Sequence, residues 1–293
     1  MYKFFLFTLS LVLLLNSCSS TPPKKLKIST TTWIGYTPLF YAKEKGWLKK
    51  LNIKLLNVSS LSENLYLYKD GNSDAYVGTQ YEYSILKPLQ PTLMPVISFD
   101  RSNGGDIILA NTTLKGLKNT KKTIDAYLEI DSINTILLEN FLQLHQLQNK
   151  KINYINKPQI EIASLKATSL SRPTIIVTYT PYNIDLIRDG FTEIASTKNS
   201  LDLLVIDFMF TTQQVYTKHR HQFTQLKTLI DKSIVNLHND PKEFYAKIKP
   251  YILELSYDDF LHSLDTIIWI NTQISKELKA TLSTMNIPTK DLL

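Results

Sequence analysis

The residues best suited to chemistry are two aromatics about a glycine, Trp33-Ile34-Gly35-Tyr36, standing between a strand pattern and a helix start. A loop at the carboxyl end of a strand, feeding the electropositive start of a helix, is where open α/β sheets hold small ligands. The stretch therefore predicts a pocket wall, although a large aromatic such as Trp33 can also be a core residue. Catalytic signatures are missing. The chain has no G-x-S-x-G nucleophile turn, no G-x-x-x-x-G-K phosphate loop and no H-E-x-x-H motif. His219 and His221, in H-R-H, point to different faces of a helix and have no third ligand nearby, so they predict a surface pair. His145, His238 and His262 stand alone. The expectation is a binding protein without cofactor or metal, and not an enzyme.

The elements that must position this stretch follow from periodicity. Leu26 to Thr31 alternates apolar and polar residues as a strand does. Thr37 then offers a capping oxygen and Pro38 suits a first helical turn, giving a helix that ends near Gly46. The design recurs. Ile53–Val58 is a strand followed by a helix over 62–69; Asp74–Gly78 is a buried strand, and Thr79-Gln80-Tyr81-Glu82 has capping-box spacing for a helix beginning at Thr79. Leu93–Phe99 is strand-like, and Arg101-Ser102-Asn103-Gly104-Gly105 turns into the apolar run Asp106–Ala110. A strand over Thr123–Tyr127 leads to a helix capped by Asp131-Ser132, with Ile133, Ile136, Leu137, Phe141 and Leu144 on its buried face. Lys151–Ile155 and Thr174–Tyr179 are further strands, the latter ending in Thr180-Pro181, a second Thr-Pro cap. Phe191–Ala195 is a short strand, and Leu203–Phe210, interrupted only by Asp207, reads as central to a sheet. Beyond Thr211 the pattern is helical to the end, with starts at Pro241 and at Ser256-Tyr257-Asp258-Asp259. Four times a strand hands over to a helix whose amino end points to the same sheet edge.

At 293 residues the chain can bury a sizeable core. Its charge of +7, from 33 Lys and Arg against 26 Asp and Glu, is scattered rather than clustered, which argues against nucleic-acid binding. Residues 1–17 have a positive start at Lys3 and an apolar run, Phe4 to Leu15, too short to span a bilayer, which predicts an export signal. An exported chain with one cysteine forms no internal disulfide, so core packing must stabilise it. That cysteine, Cys18, follows Leu15-Asn16-Ser17 in a pattern that resembles the bacterial lipoprotein cleavage motif, and the resemblance implies lipidation of Cys18. Residues 18–25, with Pro22-Pro23, read as a tether.

The order W-x-G-Y-x-P-L-x-x-A-x-x-x-G-W, D-A-x-V-G-T, S-N-G-G-D-x-I-x-A, a strand ending in T-P-Y and an apolar run with an internal Asp resembles the solute-binding proteins of bacterial ABC importers for nitrate, sulfonates, taurine and thiamine-precursor pyrimidines. The resemblance implies an α/β fold, a two-lobed periplasmic-binding-protein (type II) clamshell with two crossovers. Lobe one would comprise residues 26–107 and 204–293, and lobe two residues 108–203. Matching positions imply Trp33, Gly35 and Tyr36 as pocket wall, and Thr79, Gln80 and Tyr81 as hydrogen-bonding partners. Ser102, Gly104, Gly105 and Asp106 would lie near the hinge, with Asp131, Ser132, Tyr179, Thr180 and Tyr182 on lobe two. Asp106 could bond an amino group of a ligand or brace the hinge backbone. Many relatives carry an acidic residue before the proline of the lobe-two turn, where Thr180 stands here; that loss, together with several inward helix starts, leads to the expectation of an anionic or neutral ligand.

Two functions fit this reading. The first is a monomeric, membrane-anchored periplasmic lipoprotein that binds a small solute and delivers it to an ABC permease and ATPase. The second is a sensory lipoprotein of the same fold that signals occupancy to a membrane-bound kinase or cyclase.

Overall fold

The computed structural model describes residues 24–293 apart from Glu254 and Gln273. The expected export signal, Cys18 and all but the last two residues of the tether lie outside the described residues. No described helix is long and apolar enough to cross a membrane.

Eleven strands are described: β1 (Leu26–Thr30), β2 (Ile53–Asn57), β3 (Ala75–Thr79), β4 (Leu93–Ser102), β5 (Asp106–Ala110), β6 (Ile124–Leu128), β7 (Ile152–Asn156), β8 (Thr174–Tyr179), β9 (Thr192–Ser196), β10 (Ile206–Thr212) and β11 (Ile267–Trp269). They form two sheets. The first has the order β11-β4-β10-β3-β1-β2 and the second β7-β6-β8-β5-β9. In the first sheet β1 runs parallel to β2 and β3, and β10 is antiparallel to β3 and β4. In the second, β6 runs parallel to β7 and β8, and β5 is antiparallel to β8 and β9. The chain passes from the first sheet to the second between Ser102 and Asp106, and returns between Ser196 and Ile206. The first passage precedes the position expected from sequence, since all of β5 belongs to the second sheet. Every residue of β3, β5 and β8 is buried. Strands covered on both faces have no solvent side to mark with alternating polar residues, which explains the continuous apolar stretches Ile107–Ala110 and Ile175–Val177.

The helices that matter for the site are α1 (Thr37–Glu44), α2 (Leu61–Lys69), α3 (Gln80–Leu86), α4 (Ile133–Leu144), α5 (Asn183–Arg188), α6 (Gln213–Asn239), α7 (Pro241–Ile248), α8 (Tyr257–Leu264) and α9 (Lys276–Thr284). Hydroxyl and carboxylate caps set many of their starts. Ser60 accepts the Glu63 amide at α2, Asp240 the Glu243 amide at α7, and Ser256 the Asp259 amide at α8. On α6, Phe223, Leu226, Ile230, Ile234 and Leu237 recur at helical spacing and bury one face against α1 and the first sheet.

Several local expectations are corrected. Thr37 is the first residue of α1, not its cap; its hydroxyl donates to the Ile34 carbonyl at 2.7 Å, because a single 3₁₀ turn, Ile34–Tyr36, precedes the helix. Thr180-Pro181 is a cis peptide and α5 starts two residues later without a side-chain cap, so the two Thr-Pro pairs are not equivalent. Ser132 alone caps α4, while Asp131 is exposed, in the left-handed region at φ 61°, and accepts the Tyr66 hydroxyl at 2.8 Å. The buried face of α4 runs through Ile133, Leu137, Leu138, Phe141 and Leu142, and Leu144 is exposed. The segment after Thr211 is not helical throughout, since β11 adds a short edge strand to β4. His221 is exposed, but His219 is buried at a kink in α6, with Nδ1 2.7 Å from Gln222 Oε1. The Gln222 amide in turn donates to the Lys24 and Leu51 carbonyls at 2.9 and 2.8 Å, tying the end of the tether to the first lobe.

Candidate functional site

The carboxyl ends of β1, β3 and β4, the start of β10, the end of β8 and the start of β5 all meet at the junction of the two sheets. Antiparallel pairing puts Asp207 opposite Thr79 in the first lobe and Asp106 opposite Tyr179 in the second. Between them lies a narrow cavity of ≈ 20 Å³, room for about one water molecule. The first lobe contributes Trp33, Tyr36, Leu61, Thr79, Val205 and Asp207; Asp106, Ile133 and Tyr179 belong to the crossing strand and the second lobe. Ligand pockets commonly measure about 300–1,000 Å³, so the lobes stand closed on one another here and must part to admit a solute.

The aromatic walls are fixed from behind. The Trp33 indole N–H donates to Asp100 Oδ1 at 3.1 Å, and its ring meets Tyr179 edge-on with centroids 6.0 Å apart. Tyr36 donates its hydroxyl to Asp207 and packs edge-on against Phe99. Two glycines allow this approach. A Cβ on Gly35 would lie 1.9 Å from Asp100 Oδ2, and one on Gly105 would lie 2.4 Å from Trp33 Cη2. Both positions therefore require glycine by close approach rather than by backbone angle.

Five buried carboxyl groups surround the junction: Glu82, Asp100, Asp106, Glu129 and Asp207. Two of them bridge the lobes. Glu82 closes the capping box at α3 by accepting the Thr79 amide at 2.8 Å and the Thr79 hydroxyl, and its other oxygen accepts the Ile133 amide at the start of α4, 3.0 Å away. Glu129 returns the arrangement: it accepts the Leu61 amide at the start of α2, at 3.1 Å, and the Gln159 amide at 3.0 Å. Each lobe thus caps a helix of the other with its own carboxylate.

The remaining three have few partners. Asp100 Oδ2 and Asp106 Oδ2 are buried without a hydrogen bond, as is the Tyr179 hydroxyl. Burial pushes the Asp106 carboxyl up to about 7, against the Ser102 hydroxyl, which holds it down, and with the Glu82 charge adding to the rise. Burial, with the Asp106 charge, raises Asp100 to about 8 against the Trp33 indole that holds it down, and burial followed by the Asp100 charge raises Asp207 well above the usual carboxylate range. Burial also raises Glu129 to about 7, opposed by its two backbone donors.

The remaining sequence-predicted residues fall into distinct places. Gln80 is committed to the fold: its amide donates to the Leu204 carbonyl and its carbonyl accepts the Ile206 amide at 2.9 Å, holding the segment that enters β10. Tyr81 is half-buried and does not line the cavity. Ser102 accepts the Asp106 amide at 2.9 Å and pairs with Thr197, whose hydroxyl also accepts the Gly104 amide at 2.8 Å, so these residues brace the two passages between lobes. Gly104, at φ 104°, makes the turn there. The Thr180 amide donates to the Gly105 carbonyl at 2.9 Å, and Tyr182 stacks edge-on behind Tyr179; neither Thr180 nor Tyr182 lines the cavity. Ser132 caps α4 behind Ile133, and Asp131 stays on the surface rim. Sequence reasoning did not assign Glu82, Asp100, Glu129, Asp207, Leu61, Ile133 or Val205 to the site. Asp100 could have been found as an acid continuing a strongly apolar strand; the three aliphatic residues carry no polar signal.

No protein-family model matches the chain, and no curated protein matches it significantly in sequence. Solved structures do resemble it. The ligand-binding component of an ABC-type import system from Staphylococcus aureus, with zinc bound, superposes with a TM-score of 0.68 at 13% identity, covering 92% of this chain and 95% of that one. The alkanesulfonate-binding protein SsuA from Xanthomonas axonopodis pv. citri, bound to MOPS, gives 0.68 at 14% identity over 94% and 97%. The periplasmic aliphatic sulphonate-binding protein SsuA from Escherichia coli gives 0.67 at 14% identity over 90% and 85%. These likenesses establish the fold: the chain is a two-lobed α/β clamshell of type II periplasmic-binding-protein architecture.

Proposed function

We propose that the chain binds a small solute between its lobes and delivers it to the permease and ATPase of an ABC importer, from the periplasm, as a lipoprotein anchored through Cys18. The observation that carries this reading is the reciprocal capping of α4 by Glu82 and of α2 by Glu129. These bonds exist only when the lobes are together, so they define a closed state whose loss opens the cavity to solvent. Closure then becomes a switch that a solute biases by contacting both lobes at once. Trp33, Tyr36, Thr79 and Asp207 form the half-site on lobe one; Asp106 and Tyr179 form the other half, and Ser102, Gly104 and Gly105 serve the hinge. The solved structures with this fold, whose names describe import and sulfonate binding, support the transport role.

The test is thermal unfolding of the detergent-solubilised full chain against nitrate, sulfonates, amines and pyrimidines at millimolar concentration. One chemical class should raise the midpoint, by several degrees at a hundredfold excess over the dissociation constant, where linkage supplies ~2.7 kcal/mol. Trp33→Ala should fold and lose the response. If no class raises the midpoint, solute binding is wrong.

A further inference from the structure

The lining of the cavity has a charge character that the sequence did not suggest. Helix starts facing a cleft ordinarily attract anions, because their first amides lack partners. Here the amides of Leu61 and Ile133, at the starts of α2 and α4, are already taken by Glu129 and Glu82. An entering sulfonate or nitrate would find these donors occupied and the walls acidic.

What the cavity does offer is acceptors. Asp106, 4% exposed, lines it with Oδ2 unpartnered, and the Tyr179 hydroxyl, 2% exposed, is unpartnered beside it. Asp207 lines it from the first lobe, and the rings of Trp33, Tyr36 and Tyr179 form its aromatic wall. Carboxylates with aromatic faces are complementary to a compact cation that donates N–H bonds. We infer that the solute is a small organic cation, an alkylammonium or amidinium, whose N–H groups bridge Asp106 of the crossing strand and Asp207 of the first lobe. This assignment rests on the solute-binding reading above and specifies its ligand class.

Cation binding here is coupled to protons. Besides one another, the groups that act on Asp106, Asp207 and Asp100 are acidic or neutral: Glu82 from α3, Tyr36 from the 3₁₀ turn, Trp33 before it and Ser102 at the end of β4. Arg101, next to Asp100 in sequence, and Lys198, beside Gly104, are exposed and form no ion pair among the described residues. No group of three His, Cys, Asp or Glu residues among those described is placed to hold a metal ion, which favours an organic cation over a bare divalent one. A cation entering the cavity would displace protons from these carboxyl groups.

Calorimetric titration of the full chain, with ethylammonium, acetamidinium, methanesulfonate and zinc(II) as separate probes at pH 6 and pH 8, tests the assignment. Ethylammonium or acetamidinium should bind, at least tenfold more tightly at pH 8 than at pH 6, with protons released on binding. Asp106→Asn should weaken binding at least tenfold and reduce the pH dependence. Asp207→Asn, checked by circular dichroism, is a second variant on the other lobe and should weaken binding likewise. Binding of methanesulfonate in preference to the cations would overturn the cation assignment and leave solute binding standing, as would zinc binding alone. Binding of no probe would overturn the cation assignment, and the broader solute screen would then judge the function separately.

Discussion

Glu82 Oε1 accepts the backbone amide of Ile133 across 3.0 Å, although the two residues belong to different lobes. The same carboxylate closes the capping box of its own helix, so one buried side chain serves α3 and α4 together. Glu82→Ala should therefore lose more than a surface cap. We expect about 2–3 kcal/mol of stability lost in urea unfolding, from two helix starts left short of an acceptor. Small-angle scattering should also show a larger radius of gyration, because one interlobe contact has gone. A stability loss with an unchanged radius would mean that closure does not depend on Glu82.

Glu129 is the second latch, and its substitution separates packing from hydrogen bonding. Glu129→Gln keeps the volume and one acceptor oxygen but loses the other, which faces either the Leu61 or the Gln159 amide. The expected cost is about 1–2 kcal/mol, together with faster exchange of the orphaned amide. Hydrogen exchange read by mass spectrometry over 59–64 and 157–162 would locate it.

The buried acids also set the pH dependence of stability. Asp106 and Glu129 are each raised to about 7 by burial, above their values in an unfolded chain. Between pH 4 and 7 the native state holds more protons than the unfolded state, so stability falls as pH rises through that interval. Their contribution is fully present below the ordinary carboxylate range and lost above about 7. The apo protein should therefore be more stable at pH 5 than at pH 8, on the order of 2 kcal/mol. An unfolding midpoint that rises from pH 5 to pH 8 would contradict the placement of these groups.

Close approach predicts the behaviour of the glycines. Gly105→Ala would drive a methyl group to 2.4 Å from Trp33 Cη2 and to 3.1 Å from the Thr266 carbonyl, which is backbone and cannot swing aside. Trp33 must move, breaking its bond to Asp100 and its edge contact with Tyr179. We expect a cost of about 2–3 kcal/mol and a shifted tryptophan emission maximum. An unchanged spectrum would show that Trp33 does not rest on this turn.

Much of the frame was legible because strand and helix periods were clean. The Thr79-Gln80-Tyr81-Glu82 spacing led directly to the capping box, and Asp207 stood out as the single charge in an apolar strand. Gln80 shows the opposite case. A polar residue beside a cap looks like a ligand contact in sequence, yet its amide folds back onto β10, a partner 126 residues away for its Ile206 bond. The acids at the lobe junction were hidden for a similar reason. Helix starts suggested an anion, while the acids that neutralise them, Glu82 and Glu129, sit on the opposite lobes and cannot be paired with their amides by spacing alone. β11 escaped because three residues are too few to show a period.

A small solute held between the two lobes, against Trp33, Tyr36, Asp106 and Tyr179, is what the proposed function requires. Mass spectrometry of the full chain purified under gentle conditions, followed by denaturing release of bound compounds, tests it directly. One small compound should be recovered in about one-to-one ratio with the wild-type chain and be absent from a folded Trp33→Ala, Asp106→Ala double variant. Equal recovery of that compound from the double variant, or a wild-type chain that neither retains a solute nor is stabilised by any in the screen, would contradict it.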